Sequence, residues 1–339
     1  MASVDGPKAS RGATKITRIT LATLPTPLES GGKLQSGANL WVKRDDLTGL
    51  GVGGNKARKL EFLCAEAIDN DATCLVTVGA AQSNHCRMTA AAGARLNLPT
   101  HLVLSGTKPK NLEGNQMLSA MFGAHLHHTG LAASDWSNLE LARAELAEKL
   151  IRDGQRPHSI PIGGSTAVGA IGYAVAFDEI VTQCESQDFV ADAIVFTTSS
   201  GGTHAGLVAG LIRARANDPQ KVLPEVIGIG VAKGVAMSEP RIADLANETL
   251  NLLGESMHAT VDDVIIDPNF MGANYAIPTH AAADASTWAA HRGAWVLDPV
   301  YSAKGFSGLL GRDARGEFAA DSNIVFIHTG GLPSLFLMH

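Results

Sequence analysis

Short apolar runs, each ending in glycine or a polar turn and separated by alanine-rich helical stretches, recur along most of this chain. They occupy residues 74–78, 101–104, 193–196, 226–229, 295–297 and 324–327. Such alternation predicts right-handed βαβ units and largely parallel sheets covered by helices, an α/β fold. In sheets of this kind ligands bind beyond the carboxyl ends of the strands, so the residues just after each run are where chemistry is sought. Earlier in the chain, Leu24-Pro25-Thr26-Pro27-Leu28 reads as extended. Residues 40–44 read as a strand and residues 48–54 as turns. Asn55 then opens a helix whose Leu60, Leu63, Cys64, Ala67 and Ile68 share one face.

At 339 residues the chain exceeds what one hydrophobic core needs, so two lobes are expected. A composition 45% hydrophobic and 18% charged is that of a globular protein. The net charge of −6 argues against a nucleic-acid footprint, and no apolar run reaches the length of a membrane span. Cys64, Cys74, Cys86 and Cys184 form no CxxC pair, so neither a disulfide scaffold nor a zinc site is expected. His125, His127 and His128 match no zinc spacing and read as a surface or packed cluster, so no metal is expected. The first eighteen residues carry Lys8, Arg11, Lys15 and Arg18 without an apolar core, which is no secretory signal, and the expected location is cytoplasmic.

Five segments carry the candidate chemistry. In Gly53-Gly54-Asn55-Lys56-Ala57-Arg58-Lys59 two glycines allow close backbone approach, and a lysine at a helix start beside two further cations is disfavoured as a cation. A lowered pKa would give the neutral amine that a Schiff base needs, although the segment also reads as a solvated basic helix start. In Gly79-Ala80-Ala81-Gln82-Ser83-Asn84-His85, Ser83 is a natural N-cap for a helix ending before Pro99, and the helix start suits a carboxylate as well as ordinary capping. Thr198-Ser199-Ser200-Gly201-Gly202-Thr203 follows a strand and precedes a helix, a nest for phosphate without GxGxxG or a Walker lysine. Leu297-Asp298-Pro299-Val300-Tyr301-Ser302 and Phe326-Ile327-His328-Thr329-Gly330-Gly331 also follow apolar runs. An amine, an anion nest, a carboxylate site and strand-end hydroxyls together point to pyridoxal phosphate.

In this order, these motifs resemble the pyridoxal-phosphate family of D-cysteine desulfhydrase and 1-aminocyclopropane-1-carboxylate deaminase, within the two-lobed tryptophan-synthase-β-like fold (fold type II). The likeness runs from Leu24-Pro25-Thr26-Pro27-Leu28-Glu29 through Lys43-Arg44-Asp45-Asp46 to the last strand. The resemblance implies that Lys56 is the Schiff-base lysine and moves protons, that Asn84 bonds the cofactor's phenolic oxygen, and that Ser83, Asn84 and His85 meet the substrate. Ser200, Gly201, Gly202 and Thr203 would hold the phosphate with Lys59, and Tyr301 would lie against the ring. Tyr275 and Asn274 would line the substrate pocket, so Ser83, Tyr275 and Tyr301 join Lys56 as catalytic candidates. A homodimer is implied, as is a smaller lobe of residues 59–168 inserted in a larger one of 1–58 plus 169–339.

Deaminases of this family carry a glutamate after the tyrosine matching Tyr301, facing the ring nitrogen, where this chain has Ser302. The desulfhydrase branch offers a threonine instead, and Thr329 is present. A hydroxyl partner leaves the ring a weaker electron sink, which suits loss of a good β leaving group better than opening a cyclopropane. The expected reaction is therefore β-elimination from a cysteine-like amino acid to pyruvate and ammonia. Asn274-Tyr275-Ala276 and Ser302-Ala303-Lys304 depart from the desulfhydrases' Gly-Tyr-Gly and Thr-Gly-Lys. A methyl or polar group there can shift substrate preference by roughly 1–3 kcal/mol, which keeps an L-cysteate sulfo-lyase as the alternative. A nicotinamide dehydrogenase would need a GxGxxG turn that is absent. A non-catalytic protein that has kept the fold is the other rival.

Overall fold

The computed structural model describes residues 16–231, 238–272 and 277–337. The basic start with Lys8, Arg11 and Lys15, and the pocket candidates Asn274 and Tyr275, lie outside these residues. The chain opens with β1 (Leu28–Lys33), β2 (Asn39–Lys43) and α1 (Lys56–Asp69). Next come β3 (Cys74–Gly79), α2 (Asn84–Leu96), β4 (Thr100–Leu104), α3 (Gly114–Met121), β5 (His125–His128), α4 (Trp136–Arg152) and β6 (Pro157–Ile160). Then follow α5 (Ala167–Ser186), β7 (Ala193–Thr198), α6 (Gly202–Asn217), β8 (Glu225–Gly230) and α7 (Glu239–Leu253). The chain ends with β9 (Ile265–Asp267), α8 (His280–Gly293), α9 (Ser302–Ala314) and β10 (Asn323–Ile327).

Two sheets result. The larger has the order β1-β2-β10-β7-β8-β9, and the smaller, from one continuous stretch of chain, the order β5-β4-β3-β6. Every pairing among the described residues is parallel except β1 with β2. Helices cover both faces, so β3 and β7 are buried at every position, which is why their sequences read as unbroken apolar runs. The last strand lies between β2 and β7, with Ile327 opposite both Lys43 and Phe196, and this brings the segments after β7 and β10 side by side.

One expected strand is absent. Residues 295–297 pair with neither sheet. Trp295 and Leu297 are buried instead among Leu40, Ala303 and Phe306, where they fill the core on the α8–α9 face of the larger sheet. The histidines sit on paired strands. His101 stacks on His125 with ring centroids 4.7 Å apart, His101 Nδ1 lies 3.1 Å from His127 Nε2, and His128 bonds Gln116 at 2.9 Å. Among the described residues no His, Cys, Asp or Glu group is arranged to hold a metal, and no helix is long and apolar enough to cross a membrane.

A buried ion network fixes α1 beneath the site. The Arg58 guanidinium donates from Nε and Nη2 to both oxygens of Asp45, each at 2.8 Å, and forks onto Glu179 at 3.0 and 2.8 Å. Lys43 donates to Glu179 at 2.5 Å, and Tyr173 donates to Asp45 at 2.5 Å. Burial pushes the Asp45 carboxyl up, but Arg58 and Lys43 outweigh it and hold the group below its usual range. Gly172 of α5 lets α1 come this close, since a Cβ there would stand 2.3 Å from the Arg58 carbonyl oxygen.

Candidate active site

The turn before α1 is built to deliver Lys56. Thr48 Oγ1 donates to the Gly54 carbonyl and accepts from the Gly54 amide, both at 2.8 Å. Gly54 has φ +130°, a conformation that disfavours side chains, and Gly330 presses on it so closely that a Cβ on Gly330 would lie 2.9 Å from Gly54 Cα. The Asn55 amide donates to the Thr329 carbonyl at 3.0 Å, and its side chain donates to Thr203 Oγ1 at 3.2 Å. The starts of α1 and α6 are thereby tied together at the carboxyl ends of β10 and β7. Lys56 lines the cleft between the sheets, and its amine is pulled down to about 8. The cause is burial, and the nearby Arg58 guanidinium is neutralised by Asp45 and Glu179. A side chain that reaches the cleft yet is walled in by protein lacks the bulk water that stabilises an ammonium.

One turn on, Lys59 is only 1% exposed. Its sole hydrogen bond among the described residues is to the Gly163 carbonyl at 3.2 Å, and burial followed by the Lys56 charge lowers its pKa well below the ordinary value. None of those residues offers it a carboxylate. A Cβ on Gly202 would stand 2.8 Å from Lys59 Nζ, so only glycine lets the start of α6 rest on the amine. Gly201, at φ +83°, turns the chain into α6, which begins without a side-chain cap. Ser165 binds the loop, donating to Ser200 Oγ at 2.8 Å and accepting from the Gly202 amide at 3.2 Å. A buried cation without a counter-ion, facing an uncapped helix start, fits a phosphate group.

The opposite wall is the start of α2. Ser83 caps it, as its sequence implies, with Oγ accepting from the Cys86 amide at 3.2 Å. Thr77 Oγ1 donates to the Ile160 carbonyl at 2.9 Å, so it must accept from His85 Nε2 at 2.8 Å. Among the described residues, buried His85 Nδ1 then carries a lone pair with no partner. Burial, and then the Lys56 and Lys59 charges, hold this imidazole neutral. Asn84 Oδ1 accepts from Asn115 Nδ2 at 3.0 Å.

Tyr301 is placed by Asp298. That carboxylate accepts from the amides of Val300 and Tyr301 at 3.0 Å each, and from the amide and hydroxyl of Ser302 at 2.9 and 2.7 Å. Ser302 is fully buried and occupied with the α9 start. Lys56, Ser83, Asn84, His85, Ser200, Gly201, Thr203, Tyr301 and Thr329 all line one cleft enclosing about 770 Å³, mouth included. Lys59 and Gly202 stand behind its wall. Sequence reading missed Trp136, Ile162 and Gly163 in the lining, and Asp298, Ser165, Arg87 and Asn115 behind it. Of these, only Asp298 carried a local signal, an acid just before a helix start. Among the described residues, the lining contains no carboxylate.

Parallel-rich sheets, a half-buried lysine at a helix start and an anion cradle across one cleft define a pyridoxal-phosphate enzyme of fold type II, and the chain belongs to the pyridoxal-phosphate-dependent enzyme family, whose sequence model matches residues 19–330. Its similarity narrows within that family. The D-cysteine desulfhydrase of Salmonella typhi is 37% identical over 335 residues, covering 96% of this chain and 97% of that protein. The D-cysteine desulfhydrase of Klebsiella pneumoniae is 37% identical over 336 residues, with the same shares covered. The crystal structure of an ACC deaminase homologue, 34% identical, superposes with a TM-score of 0.84 over 95% of this chain and 94% of its own.

Proposed function

We propose that this enzyme cleaves the Cβ–S bond of a cysteine-like amino acid, D-cysteine foremost, by β-elimination, with water then giving pyruvate, ammonia and sulfide. The observation that carries the reading is the make-up of the cleft wall: an amine, hydroxyls and amides, and among the described residues no carboxylate. Ser200, Gly201, Gly202, Thr203 and Lys59 would hold the phosphate, Asn84 the phenolic oxygen, Tyr301 the ring face and Thr329 the ring nitrogen. When bound, pyridoxal phosphate supplies an electron sink that acidifies Cα–H, and a hydroxyl partner keeps that sink weak.

Lys56 both anchors the cofactor and, once displaced, takes the Cα proton; an amine lowered to about 8 is neutral often enough near neutral pH to do so. The Ser83 hydroxyl and the first-turn amides of α2 orient the substrate carboxylate, with neutral His85 beneath them adding no charge. Trp136 and Ile162 close the small-sheet side against water. Asn274 and Tyr275 complete the substrate wall in this reading. The unit 59–168 serves as the smaller lobe, and four free, buried cysteines agree with a reducing, cytoplasmic setting.

A homodimer is part of the proposal. Met117 and Met121 on α3 and Leu335 and Phe336 in the turn Leu332–Phe336 are exposed on elements that pack together, with Val52 on the neighbouring turn Leu50–Val52. Such a patch is what an isologous interface covers. Sedimentation of the wild type as a dimer, and of Phe336→Asp as a monomer, supports this, and a monomeric wild type rejects it. The function is tested with D- and L-cysteine, D- and L-cysteate and 1-aminocyclopropane-1-carboxylate, scoring pyruvate, sulfide and sulfite. Sulfide from D-cysteine, lost in Lys56→Ala, is the expected result. Preferential sulfite release from cysteate would replace the substrate, and pyruvate-free turnover of all five would reject the reaction.

A further inference from the structure

Arg87 is a wholly buried arginine with no carboxylate beside it among the described residues. Its partners are all neutral oxygens. Nη1 and Nη2 donate to the Gly53 carbonyl at 3.1 Å each, Nη1 also reaches the Gly51 carbonyl, and Nε donates to Asn115 Oδ1 at 2.9 Å. A guanidinium can only donate, so the Asn115 atom it meets must be the oxygen. The other end of that fully buried amide is then an NH2 group, and it donates to the Gln82 carbonyl at 2.9 Å and to Asn84 at 3.0 Å. The Asn84 atom there must accept, and Arg87 Nη2 lies 3.4 Å from the same oxygen. Amide oxygen and nitrogen are nearly identical in shape, so nothing but such a chain of donors decides which end of Asn84 turns to the cleft. The reverse orientation would set two NH2 groups against each other.

We infer that Arg87 and Asn115 are positioning residues that set the polarity of the Asn84 amide, so that it presents a donor and not an acceptor to the cofactor. This rests on the reading of Asn84 as the partner of the phenolic oxygen. The same guanidinium holds the turn that leads into Lys56, so the covalent anchor and the donor share one support.

The test is Asn115→Asp, which keeps the shape and still accepts from Arg87 but has no NH2 group. Asn84 then turns its own NH2 toward the new carboxylate and its oxygen toward the cleft. Two readouts are taken on purified protein: the dissociation constant of pyridoxal phosphate for the apoprotein and the pH midpoint of the holoenzyme's visible band. The expected results are a roughly tenfold or greater loss of affinity and a midpoint shift of about one unit. In an Asn84→Ala background, Asn115→Asp should move neither readout more than twofold or a few tenths of a unit. An unchanged band and affinity in Asn115→Asp overturns the inference, as does the same shift in the Asn84→Ala background. If Asn115→Asp does not fold, Asn115→Ala must show a smaller shift in the same direction, and no shift overturns the inference too. A wild-type protein that develops no visible band with pyridoxal phosphate, or a Lys56→Ala variant that keeps it, overturns the site reading itself.

Discussion

Stability and ligand binding oppose each other at Lys59, and Lys59→Met separates them. The side chain is 1% exposed, and among the described residues its one hydrogen bond is to a carbonyl 3.2 Å away. Burying an amine in this way costs roughly 3 kcal/mol whether it stays charged or gives up its proton. Methionine is nearly as long, apolar and adaptable, so the substitution removes that penalty with little change in packing. Leaving the Gly163 carbonyl without its donor returns about 1 kcal/mol, for a net gain near 2 kcal/mol in the apoprotein. A chain of 339 residues unfolds with an entropy of roughly 0.7 kcal/mol/K, so apo Lys59→Met should melt about 3 °C above apo wild type. With cofactor that gain is offset. The variant loses a charge-assisted bond to the phosphate worth roughly 1.5–3 kcal/mol, weakening affinity roughly 10- to 150-fold. Melting curves at graded pyridoxal phosphate, with an absorbance titration for Kd, measure both. An apo variant that melts below wild type would show that Lys59 already has a counter-charge. A Kd within twofold of wild type would show that the amine lies away from the phosphate, and either result refutes the reasoning.

Three further outcomes are expected. Arg58→Met strips Asp45 of its chief counter-charge at a cost of roughly 3–5 kcal/mol, lowering Tm by several degrees. Because the Asp45 carboxyl is depressed chiefly by Arg58, the wild type's stability advantage over this variant should shrink as pH falls below the carboxylate range, as followed by urea denaturation at graded pH. Lys56 binds a proton more weakly folded, at about 8, than unfolded, at 10.5, so apoprotein stability should rise with pH across that window by the order of 3 kcal/mol. Urea denaturation in a Lys59→Met background checks this, and Lys56→Met should flatten the rise. Gly202→Ala places a methyl 2.8 Å from Lys59 Nζ and from Ser165 Cα, and overpacking of roughly 1–3 kcal/mol should weaken cofactor binding at least several-fold while β-sheet content is retained.

The strands that were legible and those that were not divide by position in the sheets. β3, β4, β7, β8 and β10 are interior strands, and their apolar runs announced them. β1 (LESGGK), β5 (HLHH), β6 (PHSI) and β9 (IID) went unread, and all four are edge strands. An edge strand satisfies one ladder and buries less side-chain surface, so its sequence needs less apolar content. The converse error, residues 295–297, is an apolar segment whose burial comes from packing on a sheet face and not from pairing. Periodicity reports burial, and burial has more than one cause.

The site divides in the same way. Ser83, Ser200, Gly201 and Thr329 stand in short motifs just after strands, and Lys56 opens a helix after a glycine turn, where backbone geometry brings them to the cleft. The groups that orient them are distant in sequence: Asn115 is 28 residues from Arg87, and Glu179 is 121 from Arg58. No local pattern marks such pairs, since each partner alone reads as an ordinary helix residue. The depressed Lys56 amine is an instance of the consequence. Burial lowers it, and the nearby Arg58 is neutralised by carboxylates that only the fold brings near. A motif therefore identifies the group that reacts, whereas the charge state of that group is set by the burial that long-range packing imposes.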